Sequence, residues 1–147
     1  MEEEEICLVD SCTTNTILRE TKYFQTLLKK PGNIMTIAGS DALIVGTGRA
    51  TIVLPMGTRI IIEDALFYPS SKRTLLSFKD IRRNGFHLET DKEDGTEYLL
   101  MTKFNGCQKS VVEKLPSFSS GLYYTYIKPK IYVAMKTILK NPEVFRI

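Results

Sequence analysis

Ile6-Cys7-Leu8-Val9-Asp10-Ser11 sets a carboxylate and a hydroxyl directly behind a short apolar run. A carboxylate at the end of a buried strand costs free energy to desolvate unless it is hydrogen-bonded or shares its charge with a partner. Turn acids after strands are common, so the neighbourhood decides what Asp10 does. Other reactive groups are sparse. A nucleophile at Cys7 or Cys12 needs a base, and His87 is the only histidine. Phe86-His87-Leu88 alternates like a strand, where a surface or hydrogen-bonded histidine is the simpler reading. A zinc site would need Cys7, Cys12, His87 and Cys107 together, with no Cys-x-x-Cys and no compact spacing. Gly46-Thr47-Gly48 lacks the third glycine and the opening helix of a dinucleotide fingerprint. Neither a metal nor a cofactor is therefore expected.

The elements that must position Asp10 are short. Ile6–Val9 reads as a buried strand, and 10–15 as a turn of small and polar residues. Thr16-Ile17-Leu18 resumes the apolar pattern. Lys22 to Lys30 is a polar connection, Pro31-Gly32-Asn33 a turn, Ile34–Ala38 a strand and Gly39-Ser40-Asp41 another turn. Leu43-Ile44-Val45 and Ala50–Leu54 flank Gly46-Thr47-Gly48, which reads as a hairpin tip. Pro55–Thr58 is a turn, and Arg59–Glu63 and Ala65–Tyr68 are β-rich. One short helix is expected near 75–83, closed by Asn84-Gly85. Phe86–Glu89, Tyr98–Met101 and Leu122–Ile127 read as strands. Turns fall at Asp91–Gly95 and Asn105-Gly106, and a loop at Ser117–Gly121. Ile131, Met135, Ile138 and Leu139 share a helical stripe. Many short strands with turns about every ten residues indicate an all-β barrel or sandwich.

Leu8-Val9-Asp10-Ser11-Cys12-Thr13-Thr14-Asn15-Thr16-Ile17-Leu18 resembles the retropepsins, whose pattern is an apolar strand, Asp-Ser/Thr-Gly-Ala, two residues, then Thr and an apolar pair. Ile44–Gly48 looks like their glycine-rich flap. Thr74–Ile81 and Asn84–Leu88 look like their apolar pair, short helix and last strand. More narrowly, Met35–Ala38, Gly46–Gly48, Glu63–Pro69 and Leu75-Leu76-Ser77 are similar to the copia-type retrotransposon polyprotein of the Tnt lineage. The resemblance covers residues about 6–127. It implies a retropepsin-like closed β-barrel with one short helix and a helical C-terminal tail. It also implies an aspartic endopeptidase with Asp10 and Ser11 catalytic, and Cys12, Thr13, Thr14, Asn15, Gly46, Thr47 and Gly48 binding substrate. No second Asp-Ser/Thr-Gly is present, so the resemblance implies a homodimer through the Asp10 region that cuts its own polyprotein. Cys12 and Thr13 stand where the family has Gly and Ala. Added bulk there would crowd the peptide channel or the partner subunit, so weak or lost activity is expected. A non-catalytic barrel serving as a structural or interaction module is the alternative.

Length and composition fit this reading. The chain has 147 residues, 43% hydrophobic, with net charge +3, which argues against a disordered chain. The longest apolar run, Ile131–Met135, is far short of a membrane span. The acidic start, Glu2–Glu5, is unlike an export signal. Three cysteines cannot all pair in one chain, so a reduced, intracellular protein, cytoplasmic by default, is expected. The expected divisions are an acidic extension over 1–5, the barrel over 6–127 and a basic tail over 128–147 that begins a pre-integrase segment. From Tyr98 onward eight Lys/Arg face two Glu. Such a tail could touch nucleic acid, but its scattered lysines, with no aromatic-basic repeat, read as a solvated face.

Overall fold

The computed structural model describes residues 4–29 and 45–130 and, as strands, 33–36 and 39–43. The strands are β1 (Glu5–Asp10), β2 (Ile17–Leu18), β3 (Leu28–Lys29), β4 (Asn33–Thr36), β5 (Gly39–Leu43), β6 (Gly46–Val53), β7 (Arg59–Phe67), β8 (Thr74–Ser77), β9 (His87–Glu93), β10 (Thr96–Asn105), β11 (Gln108–Pro116) and β12 (Tyr123–Pro129). The helix α1 (Phe78–Arg83) follows β8 directly, and a 3-10 turn spans Thr21–Tyr23.

Six strands close a barrel in the order β12-β1-β8-β2-β7-β6, with β12 pairing back onto β6. Lys128 and Pro129 make that closure by pairing with Val53 and Ile52. Closure removes the open edges that a six-stranded sheet would otherwise expose. β3 adds to β6 outside the ring. β9, β10 and β11 form a separate antiparallel meander, and β4–β5 a two-stranded sheet.

Period-2 alternation explains the barrel. In β7, Ile60, Ile62, Ala65 and Phe67 face inward while Arg59, Ile61 and Glu63 face out. In β1, Cys7 and Val9 are buried, and Ile6, Leu8 and Asp10 take the other face. The core joins Val9, Leu18, Tyr23, Ile52, Ile60, Leu76 and Ile127 of the barrel to Leu99, Met101 and Leu115 of the meander. Each such side chain gains about 1.5–3 kcal/mol on burial. The meander is also tied down by Glu113, whose buried carboxylate accepts the Met56 and Thr58 N–H groups of the β6–β7 turn at 3.1 and 3.3 Å.

Several expectations change. The ring strands lie between Glu5 and Ser77 and at Tyr123–Pro129, while β9–β11 form the meander. Glu5, expected in an acidic extension, lies in β1, where it accepts hydroxyl bonds from Tyr23 and Thr74 at 2.6 Å each. The boundary expected after Ile127 falls inside β12. Gly39 opens β5 instead of sitting in a turn. The helix begins at Phe78, because Thr74–Ser77 is spent pairing with β1. β11 carries no marked sequence signal, since its inward residue Glu113 is charged and breaks the apolar alternation. The helical tail expected over 131–139 lies outside the described residues.

Candidate functional site

Asp10 is the last residue of β1 and stands on its outward face, half-buried at the barrel rim. β1 runs parallel to β8, and the register sets Asp10 beside Ser77. The Asp10 carboxylate accepts the Cys12 backbone N–H at 2.8 Å, closing an Asx turn. The turn is tied to two elements and braced within itself. The Ser77 hydroxyl donates to the Thr13 carbonyl at 2.9 Å. The Asn15 side chain donates to the Asp64 carbonyl on β7 at 3.0 Å. The Thr13 hydroxyl donates to the Asn15 carbonyl at 2.8 Å, and that of Thr14 to the Asn15 side chain at 3.3 Å.

Beneath the turn lies a buried relay. Ser77-Phe78-Lys79-Asp80 has the spacing of a capping box, and the Ser77 hydroxyl accepts the Lys79 N–H at 3.1 Å. Asp80 does not reach back to the Ser77 N–H. Thr16 is interposed: its hydroxyl accepts that N–H at 3.1 Å and donates to the Asp80 carboxylate at 2.7 Å. Thr16, Ser77 and Asp80 are all at most 1% exposed. The residue after the Asp10 turn is thus locked to the start of α1. Sequence reading misses the role of Thr16, although the Ser-x-x-Asp spacing is its one available signal.

Ser11 and Cys12 are exposed, with hydroxyl and sulfur 4.0 Å apart. Cys7 is buried in β1, and burial, aided by the charge of Glu5, pushes its thiol far up, which removes it as a nucleophile. His87 lies on the meander with its ring edge-on to Phe104.

The glycine segment departs from expectation. Gly46, Thr47 and Gly48 lie within β6 and pair with Phe67, Leu66 and Ala65, so they form no hairpin tip. Their small size serves a backbone crossing: a Cβ on Gly48 would fall 2.0 Å from the Thr26 carbonyl oxygen, and one on Gly46 2.7 Å from that of Leu28. β7 separates this segment from the Asp10 turn, since Ile17 and Thr47 both pair with Leu66. Residues 10–15 therefore come together as one turn, and Gly46–Gly48 do not join it. Among the described residues no cluster of His, Cys, Asp and Glu could hold a metal ion, and no helix is long and apolar enough to cross a membrane.

Comparison with known families fits the ring of strands just described. The family model of the Pol polyprotein β-barrel domain matches residues 7–86. This chain belongs to that family. No curated protein and no solved structure matches it. The matched span runs from Cys7 through α1 to Phe86, and so holds the Asp10 turn, the Thr16 relay and five of the six ring strands. The chain is thus a retrotransposon-type Pol barrel, and its sixth ring strand, β12, lies beyond the matched span.

Proposed function

We propose that this Pol barrel is a copia-type, retropepsin-like aspartic endopeptidase domain that cleaves its own polyprotein as a homodimer, at a rate held down by Cys12. The observation that carries the reading is the Asp10 turn. A carboxylate leaves a barrel strand on its outward face, beside Ser77, on a turn pinned to β7 and β8. Rigid support of this kind is what a catalytic carboxylate needs, because a displacement of about 1 Å can cost on the order of 10²-fold in rate.

One chain supplies one such acid, so the chemistry takes a two-fold axis. Two carboxylates about 3 Å apart cannot both ionise and share one proton. The ionised one withdraws a proton from water while the protonated one donates to the scissile carbonyl. Ser11 would hold the opposite carboxylate, and Cys12 to Asn15 would line the peptide. The exposed Cys12 side chain then meets substrate or partner rather than its own barrel.

The test is cleavage of a peptide library drawn from the parent polyprotein, at mildly acid pH, by the full chain and two variants. Cys12→Gly should raise kcat/KM by about 10²-fold, and Asp10→Asn in that background should abolish turnover. Absence of cleavage by both the native chain and Cys12→Gly overturns the proposal and leaves the barrel as a structural module.

A further inference from the structure

Ser77 meets the loop from Asp10 to Thr16 at its start, its middle and its end. Its backbone pairs beside Asp10 in the parallel β1–β8 ladder. Its hydroxyl donates to the Thr13 carbonyl at 2.9 Å. Its N–H donates to the Thr16 hydroxyl at 3.1 Å. A loop held at both ends and at the middle by one residue moves with that residue. Where Ser77 stands therefore decides where Asp10 stands.

The third contact is the one made by a side chain outside the exposed turn. The Thr16 carbonyl accepts the Leu66 N–H at 2.9 Å, which fixes its backbone to β7. Its hydroxyl has one proton to give and lone pairs to receive. A carboxylate only accepts, so Asp80 takes that proton at 2.7 Å and leaves a lone pair for the Ser77 N–H. Thr16, Ser77 and Asp80 are all buried, so bulk water does not compete for these bonds. Asp80 thereby sets the direction of the Thr16 hydroxyl, and the hydroxyl sets the height of Ser77 against β7. Bonds of this kind, one end charged and both ends buried, are among the stronger and more directional in proteins.

Given the endopeptidase reading, on which this rests, we infer that Thr16 is a positioning residue for Asp10, acting through Ser77. It touches neither peptide nor the reacting atoms. Its effect falls on the alignment of the two carboxylates in the transition state, and the exposed residues that line the peptide keep their own bonds. Loss of the hydroxyl should therefore lower kcat and spare KM.

The test is steady-state peptide cleavage by the full chain in the Cys12→Gly background, with circular dichroism to check folding. Thr16→Val should lower kcat by about 10- to 10²-fold and leave KM within about twofold. Thr16→Ala, which leaves room for a water where the hydroxyl stood, should lose kcat in the same way and serves if the valine protein does not fold. Thr16→Ser keeps the hydroxyl and should hold kcat within about threefold of its parent. Leu115→Val thins the core at the meander without touching the relay, and should lower Tm with kcat unchanged. Unchanged kcat in the folded valine or alanine protein overturns the inference. So does a loss in Thr16→Ser or Leu115→Val as large as theirs, since the cause would then be stability alone. Turnover that is indifferent to Thr16 removes this inference and leaves the endopeptidase reading standing. Absence of turnover in Cys12→Gly itself removes both.

Discussion

At the scale of single residues, the site was half legible. Asp10 stands out because a carboxylate ends a run of four apolar residues, and the alternation of β1 then sends its side chain outward. Thr16 does not stand out, because a threonine beside Ile17 reads as ordinary strand composition. Only the antiparallel pairing of β2 with β8, Ile17 opposite Leu75, brings it beside Ser77 and within reach of Asp80. Glu113 is hidden for a related reason: nothing in Val-Val-Glu-Lys-Leu shows that two backbone N–H groups some 55 residues away will hydrogen-bond it. Buried acids of another kind set the alkaline limit. Burial pushes the Cys7 thiol and the Tyr23 phenol well above their ordinary ranges, and Tyr23 is held further by its bond to Glu5. The unfolded chain gives up these protons near about pH 8.5 and about pH 10, while the folded chain keeps them. The stability they support is therefore full below about pH 8.5 and lost as pH rises, at up to about 1.4 kcal/mol per pH unit for Cys7. Urea unfolding under reducing conditions should show this decline between pH 8 and 11, and Cys7→Ala should flatten its first part. A profile flat to pH 11 would contradict the assignment.

At the scale of elements, strand identity was legible and strand limits were not. Gly46-Thr47-Gly48 reads as a turn because glycine usually marks one, yet here glycine marks the place where the chain before β3 presses against β6. Local sequence cannot distinguish the two uses, since the crossing partner lies about twenty residues upstream. Gly48→Ala decides between them. At a hairpin tip the change would be mild; in β6 it must displace the Thr26 carbonyl and should cost about 2–3 kcal/mol or more. Chemical denaturation measures the difference, and a loss below about 0.5 kcal/mol would restore the turn reading. The helix start moved for an equally physical reason. Leu75 and Leu76 suit a helix by composition, but the exposed edge of β1 takes them as a strand, and Ser77 then caps what remains.

At the scale of the whole molecule, an all-β barrel or sandwich with one short helix was legible from turn spacing and the closed barrel only from the family resemblance, whereas the division into ring and meander was not. That division depends on which strands pair across long stretches of chain. β12 closes the ring from beyond the matched family span, and the chain between Phe86 and Tyr123 reaches it by way of the meander. A fragment limited to residues 7–86 would leave the edges of β1 and β6 unpaired and should not fold alone. Size exclusion and circular dichroism of that fragment should show aggregate or coil. A stable monomer with native strand content would show that β12 is dispensable.

The central claim is that catalysis takes one Asp10 from each of two chains, and mixing active with poisoned subunits tests it most directly. Cys12→Gly protein is combined with an equal amount of Cys12→Gly, Asp10→Asn protein at constant total concentration and allowed to exchange. If each active unit needs two intact carboxylates, about one quarter of the undiluted activity should remain. Retention of about one half would mean that each chain works alone, and would contradict the account.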